Sequence, residues 1–261
     1  MEQFLQKEKE ERIFILNSTI TNIGKEELRE QIFQAIKARR KVSLVFVNVD
    51  VIMKAEKDEE LKNVIQESEY VLADGTPLIW ISKLFRRPLK EKISGSDFVP
   101  YLCERAALEN CRIFLLGGMG DTAQKAGKAL KERYPGIQIV GTYSPPVGFE
   151  SNRKELEHMN QVIRRTKADI LIACLGCPKQ EKYIYANRGK YDVPVSICAG
   201  ATIDFLAGNV KRCPKWVSRC GLEWFYRFLQ EPERLFRRYF VDDMRVFGLI
   251  IKYWKTEKSR R

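Results

Sequence analysis

An aspartate closes an apolar run in "VLADGTPLIW", Val71 to Trp80. Val71, Leu72 and Ala73 read as the end of a buried strand. Gly75 turns the chain, and Thr76 as N-cap with Pro77 in the first helical position opens a helix. A carboxylate held at the mouth of a strand can serve as general base toward a hydroxyl in a crevice. The same residue, Asp74, can also do no more than cap its own turn. The single histidine, His158 in "KELEHMNQ", reads as a surface residue of a polar helix, so a histidine base has little to work with.

Other groups offer ligand contacts. In "FLLGGMGDTAQKA" a strand, a glycine turn and a helix follow one another, and Gly117, Gly118 and Gly120 let a phosphate approach the backbone at a helix start. Neither G-x-G-x-x-G nor a P-loop Lys-Ser/Thr is present, and a glycine turn that merely connects is the plain alternative. In "CLGCPKQEKYI", Pro178 opens a helix whose first turn brings Lys179 and Gln180 near the crevice. Gln180 can bind a base or sugar edge, and Glu181 suits the helix dipole. Lys92 in "EKISGSDF" precedes a turn in which Ser96 or Asp97 can cap the next helix. "RFLQEPERLFRR" presents Arg227, Arg234, Arg237 and Arg238, suited to bidentate bonds with a diphosphate, or to a solvated helix face. The lone C-x-x-C, Cys174 to Cys177, lacks a second pair at zinc-ribbon spacing and reads as buried free thiols.

Apolar, β-branched runs at 41–49, 70–74, 112–118, 137–144, 168–176 and 193–200 read as strands. Helical patterns at 25–40, 121–135 and 151–167 stand between them. Such alternation predicts an α/β fold, a Rossmann-like and mostly parallel sheet with flanking helices. Ligands then bind at the carboxyl ends of the strands, where Asn48, Asp74, Gly117, Gly118 and Gly176 fall. After Gly200 the strands cease, giving an expected division into an α/β catalytic domain at 1–210 and a helical, basic appendage at 211–261. Glu231-Pro232 separates two helices. In the second, Phe236, Phe240, Met244, Phe247, Ile251 and Trp254 form one apolar stripe, which either packs on its own domain or lies on a membrane surface.

The 261 residues, 44% hydrophobic and 31% charged, give a globular composition without a membrane-length apolar run. The charged beginning of the sequence has no signal-peptide pattern, so a cytoplasmic location is expected. The net charge is +12, and from Lys211 onward 14 Lys and Arg face six Asp and Glu. A basic tail suits nucleic acid, anionic membrane or a phosphorylated ligand.

Taken in order, "ADGTPLIW", "ISGSDF", "FLLGG", "YSPPVGF", "LGCPKQEKYI", "GATIDFLAGNVKRCPKW" and "GLEWFYRFLQEPERLFRRY" resemble the WecG/TagA/CpsF family of bacterial glycosyltransferases, glycosyltransferase family 26. The resemblance implies a metal-independent, inverting transfer from a UDP-sugar, typically N-acetylmannosamine, to a polyprenyl-diphosphate-linked sugar acceptor, in the synthesis of a cell-surface polysaccharide. It implies no cofactor and no nucleic-acid partner. It implies a peripheral position on the anionic inner face of the cell membrane, with the C-terminal appendage helping to complete the site, and leaves self-association open. It places the general base on Asp74 and substrate contacts on Asn48, Gln180, Arg227, Arg234 and Arg237. Two positions depart from the pattern: Phe46 stands where many members carry threonine, and Lys92 where many carry arginine. Lysine keeps the charge and gives up the bidentate fork.

The implied chemistry is physically coherent. One carboxylate suffices for direct displacement of a good leaving group, whereas a retaining route through a covalent intermediate normally asks for a second, for which Asp97 and Asp204 are the available residues. No D-x-D cluster stands at a strand end, so arginines of the tail would meet the departing diphosphate. Two other readings rank lower. A nicotinamide-dependent oxidoreductase lacks the full glycine fingerprint. A nucleic-acid-binding module built on the basic tail leaves the strand-end residues without a task.

Overall fold

The structure, a computed structural model, describes residues 12–214, 217 and 221–259, with the side chains of Arg234 and of 256–259 outside that description. Every residue of β3 (Val42–Val47) is buried. Side-chain alternation sends Val45 and Val47 into one hydrophobic core and Val42, Leu44 and Phe46 into another. That is the pattern of a parallel strand covered on both faces.

The chain begins with an antiparallel pair, β1 (Arg12–Ile15) and β2 (Ser18–Thr21), followed by α1 (Lys25–Lys37) and β3. Then come α2 (Val49–Ala55), α3 (Glu59–Glu67), β4 (Tyr70–Ala73), α4 (Thr76–Leu84) and α5 (Gly95–Leu108). β5 (Arg112–Gly117), α6 (Thr122–Arg133), β6 (Gln138–Tyr143), α7 (Arg153–Thr166), β7 (Ile170–Cys174), α8 (Lys179–Asn187), β8 (Val195–Cys198) and α9 (Thr202–Leu206) complete the alternating part. The six strands pair in the order β4-β3-β8-β7-β5-β6, all parallel. The six expected strands are thus the sheet, each one to four residues shorter than its apolar run. The short β1–β2 pair and the helices α2 and α3 are additions.

Helices α2, α3, α4, α7 and α8 share one core with the sheet, and α1, α5, α6 and α9 the other. The chain therefore leaves β3 toward one face and β8 toward the opposite face. Strands diverging in this way open a crevice at their carboxyl ends, here between Asn48 and Gly200.

The C-terminal region is helical, with α10 (Glu223–Gln230), α11 (Pro232–Arg237), a π turn at Arg238–Asp242, a 3-10 turn at Asp243–Arg245, and α12 (Val246–Ser259). Val246 and Leu249 of α12 are buried in the core that holds α2, α3 and α4, each contributing about 1.5–3 kcal/mol of burial. Lys252 pairs with Glu56, and Tyr253 and Trp254 meet Phe14 and Phe85 edge-on. Of the expected stripe Trp254 joins this contact, whereas Phe236, Phe240, Met244, Phe247 and Ile251 are all exposed. A helical register carried unbroken from Pro232 to Trp254 predicts one face, but the π and 3-10 turns shift the phase between its two halves. No helix among the described residues is long and apolar enough to cross a membrane.

Candidate active site

Asp74 follows β4, and its backbone amide donates to the carbonyl of Val47 at 2.8 Å. Asp74 and Asn48 are therefore neighbours at two adjacent strand ends. α4 begins at Thr76, with Gly75 in the cap position at φ 106°, one residue earlier than expected. That backbone conformation suits glycine, and no side chain caps the helix. Asp74 thus caps nothing, and its carboxyl remains at the crevice mouth. Burial pushes that carboxyl up from 3.8 to about 7, and the Glu223 carboxylate adds to the rise. Lys92 and Arg227 oppose the shift, and Asp97 adds a smaller upward push. A group poised near neutrality is suited to take a proton from a hydroxyl.

Three elements bring these charges together. Lys92 lies in the segment before α5, and its ammonium stands 3.6 Å from Glu223 at the start of α10. Arg227, one turn further along α10, lies over the Phe205 ring at 5.4 Å, and its Nε is buried without a partner among the described residues. Asp97 pairs with Arg212 and accepts from Ser94 Oγ at 2.8 Å, contacts that hold its carboxyl below the usual range even though burial opposes them. Ser94, not Ser96 or Asp97, occupies the cap position of α5. Asp204 does not figure among the main charges acting on Asp74.

Asn48 caps α2, its side-chain oxygen accepting from Val51 N at 3.1 Å, which leaves its NH2 group as the donor available to a ligand. Gln180 is buried: its Oε1 accepts from Gly200 N at 3.1 Å and its Nε2 donates to Glu181 Oε1 at 2.7 Å. Gln180 thus fastens the end of β8 to the start of α8. Glu181, expected to suit the helix dipole, is 1% exposed, its Oε2 has no hydrogen-bond partner among the described residues, and burial pushes it up to about 7. Lys179 turns away to pair with Glu150.

Gly117 and Gly118 end β5, and four strand intervals at ~4.8 Å put them roughly 19 Å across the sheet from Asp74. Their glycine identity has a packing cause. A Cβ on Gly117 would stand 2.2 Å from the Cys174 carbonyl oxygen, and one on Gly118 would stand 2.7 Å from Thr122 Cβ. They are not part of the cluster around Asp74. Arg237 is exposed, and it is Arg238 that turns inward, to Asp50 at 3.5 Å. The Arg234 side chain lies outside the described residues.

Phe46 lies in the core, its ring 6.4 Å from that of Phe98, and a Cβ on Gly95 would stand 3.3 Å from it. Cys174 and Cys177 are free, and His158 is exposed. Among the residues that sequence reasoning missed, Glu223 and Arg212 stand out. Both are polar residues in a segment read for its arginines and aromatics, and no local spacing marks them.

The fold is α/β, and this charged cluster lies at the carboxyl edge of its sheet, with Arg227 supplied from a C-terminal helix. The chain belongs to the WecG/TagA/CpsF family of glycosyl transferases, whose family model matches residues 13–260. It is 35% identical over 188 residues to the N-acetylglucosaminyldiphosphoundecaprenol N-acetyl-beta-D-mannosaminyltransferase of Bacillus subtilis, covering 72% of this chain and 71% of that protein. It is 30% identical over 191 residues to the protein of the same name from Bacillus spizizenii, covering 73% and 72%.

Proposed function

We propose that this glycosyltransferase moves a sugar, N-acetylmannosamine in the first instance, from UDP to a polyprenyl-diphosphate-linked N-acetylglucosamine acceptor in bacterial cell-surface polysaccharide synthesis. The names of the two Bacillus relatives support the acceptor and the transferred sugar. The observation that carries the mechanism is the half-buried Asp74 carboxyl, raised to about 7 and flanked by Lys92 and Arg227.

In this reading Asp74 accepts the proton of the acceptor hydroxyl as its oxygen attacks the anomeric carbon from the face opposite UDP. The configuration inverts in one displacement, and UDP leaves with the bonding pair. Negative charge grows on the diphosphate, and Lys92 and Arg227 are the cations placed to meet it. Asn48, beside Asp74, offers its amide N–H to the sugar or nucleotide. No step is assigned to a metal.

The appendage also supports a peripheral membrane position. Phe225, Phe228, Phe236 and Phe240 form a chain of ring contacts at 5.3–6.5 Å, and Phe225, Phe236 and Phe240 are exposed. Arg237 and Arg245 are exposed in the same region. Aromatic and basic side chains in this mixture suit an anionic interface.

The test is UDP release with a panel of UDP-sugars and a short-chain lipid-diphosphate N-acetylglucosamine acceptor, with EDTA present, comparing wild type with Asp74→Asn. Acceptor-dependent release from UDP-N-acetylmannosamine that the variant loses is the expected result. Release from a different UDP-sugar reassigns the donor. Full activity of Asp74→Asn rejects the base.

A further inference from the structure

The appendage touches the turn that carries Asp74 through the backbone of Gly221. Gly221, at φ 75°, lies against Thr76 so closely that a Cβ would stand 3.2 Å from Thr76 Cγ2 and 3.3 Å from its Oγ1. Any other residue at 221 meets both a strained backbone and this contact. Two residues on, Glu223 opens α10 and meets Lys92 at 3.6 Å. Glu223 and Arg227 are four residues apart in one helix, so they share a face, and both act on Asp74. Gly221 thus sets how closely the appendage approaches, and Glu223 carries a negative charge into a cluster where the proposed leaving group calls for positive charge.

We propose that Glu223 is a positioning residue for the transfer, the carboxylate through which the appendage anchors Lys92 beside Asp74 and fixes the charge around that base. The inference rests on Asp74 as the base. Among the described residues, four charged groups act on Asp74: Lys92 ahead of α5, Asp97 in the first turn of α5, and Glu223 and Arg227 in α10. Glu223 and Asp97 favour the protonated carboxyl, and Lys92 and Arg227 favour the carboxylate. Without the Glu223 charge, the repulsion that holds a proton on Asp74 weakens and Lys92 loses its anchor. A weaker base with a less well seated cation follows.

The experiment is the pH dependence of kcat/KM across the neutral range, using UDP-N-acetylmannosamine and the short-chain lipid-diphosphate acceptor with the full-length chain. Glu223→Gln is expected to lower the alkaline plateau and to move the acid limb to lower pH. Its rate below the limb, as a fraction of its own plateau, should then rise by roughly 3–10-fold. Lys92→Met is expected to move the limb the opposite way, and Glu223→Asp, which keeps the charge, to return it toward wild type.

A Glu223→Gln limb that coincides with wild type overturns the proposal, even if the rate falls, because a purely structural contact lowers kcat without moving the limb. A Glu223→Asp limb displaced as far as that of Glu223→Gln overturns it too. Should Glu223→Gln fail to fold, the Glu223→Asp and Lys92→Met profiles still decide. Asp74→Asn separates the two readings: if it retains full turnover, the base assignment fails. If it is inactive while the Glu223→Gln limb stays in place, only the role of Glu223 fails.

Discussion

The Oε1 of Gln180 accepts the backbone amide of Gly200 at 3.1 Å, tying the first turn of α8 to the end of β8. The Nε2 of the same amide donates to Glu181, so the amide orientation is set by both of its ends. Gln180 therefore holds the middle of the sheet's carboxyl edge in shape, one strand away from β3 and Asn48. In a site assembled from several loops, such a bond keeps the crevice open at a fixed width before any ligand arrives.

Gln180→Leu should be destabilising as well as inactivating. It leaves the Gly200 N–H without its acceptor and the Glu181 carboxylate without its donor, and a lost partner for a buried polar group costs about 1–3 kcal/mol. In a chain of this size a loss of about 2 kcal/mol lowers the melting temperature by roughly 4–8 °C. Thermal unfolding followed by circular dichroism measures it. An unchanged melting temperature would show that the bond carries no strain-bearing role.

Glu181 yields a prediction about pH and stability. Its folded carboxyl titrates at about 7 against an ordinary 4.5, the cause being burial. Between those two values the unfolded chain has released a proton that the folded chain keeps. Stability from this group therefore falls as pH rises through that window and levels off above it. In Glu181→Gln this part of the decline is absent, so the variant should gain on wild type by about 1–3 kcal/mol between about pH 5 and about pH 8. Urea unfolding at the two pH values reads the difference, and parallel behaviour of the two proteins would refute it.

The α/β architecture was legible because a doubly covered parallel strand is apolar on both faces, and runs such as 42–47 and 170–174 have few other fates. Asp74 and Asn48 were legible for the same reason: a polar residue where such a run ends lies at the sheet's carboxyl edge. Glu181 was not, since a glutamate in the first turn of a helix looks solvated until the neighbouring strand is known to cover it. The glycines at the end of β5 also have a packing cause that the sequence does not show. Gly117 answers to the backbone of β7, a strand about sixty residues away, and no local pattern contains that contact. The stripe from Phe236 to Ile251 is exposed and not packed on the domain, and nothing in "RYFVD" announces the π turn that breaks its register. Glu223 acquires meaning only from Lys92, 131 positions earlier in the chain.

Asp74→Asn should keep the fold and lose turnover by at least about 100-fold, the range expected for removal of a general base. Its stability at alkaline pH should equal or exceed that of wild type. The folded Asp74 carboxyl titrates at about 7 and its ordinary value is 3.8, so ionisation inside the fold is unfavourable above neutrality and the amide escapes it. The same shift predicts that wild-type kcat/KM rises as pH increases through about 7. Melting curves at about pH 8 together with the pH–rate profile check both halves. A variant that melts well below wild type would show that the carboxylate has a structural task.

The exposed apolar residues of the appendage separate lipid binding from folding. Phe247 and Ile251 are both 57% exposed, while their helix is held to the domain by Val246 and Leu249 at 7% each. Changing Phe247 and Ile251 together to serine removes apolar surface that folding does not bury, so the melting temperature should stay within about the shift of a 0.5 kcal/mol surface change. Their loss should matter at a membrane, where each inserted side chain contributes through the apolar area it withdraws from water. The double variant should therefore cosediment less with vesicles rich in anionic lipid, and transfer to a lipid-borne acceptor in those vesicles should fall with it. Transfer to a short-chain acceptor free in solution should not change, because neither residue has a part in the proposed mechanism. Equal cosedimentation of variant and wild type would assign these side chains to another surface, and loss of activity with the soluble acceptor would place them in the closing of the site.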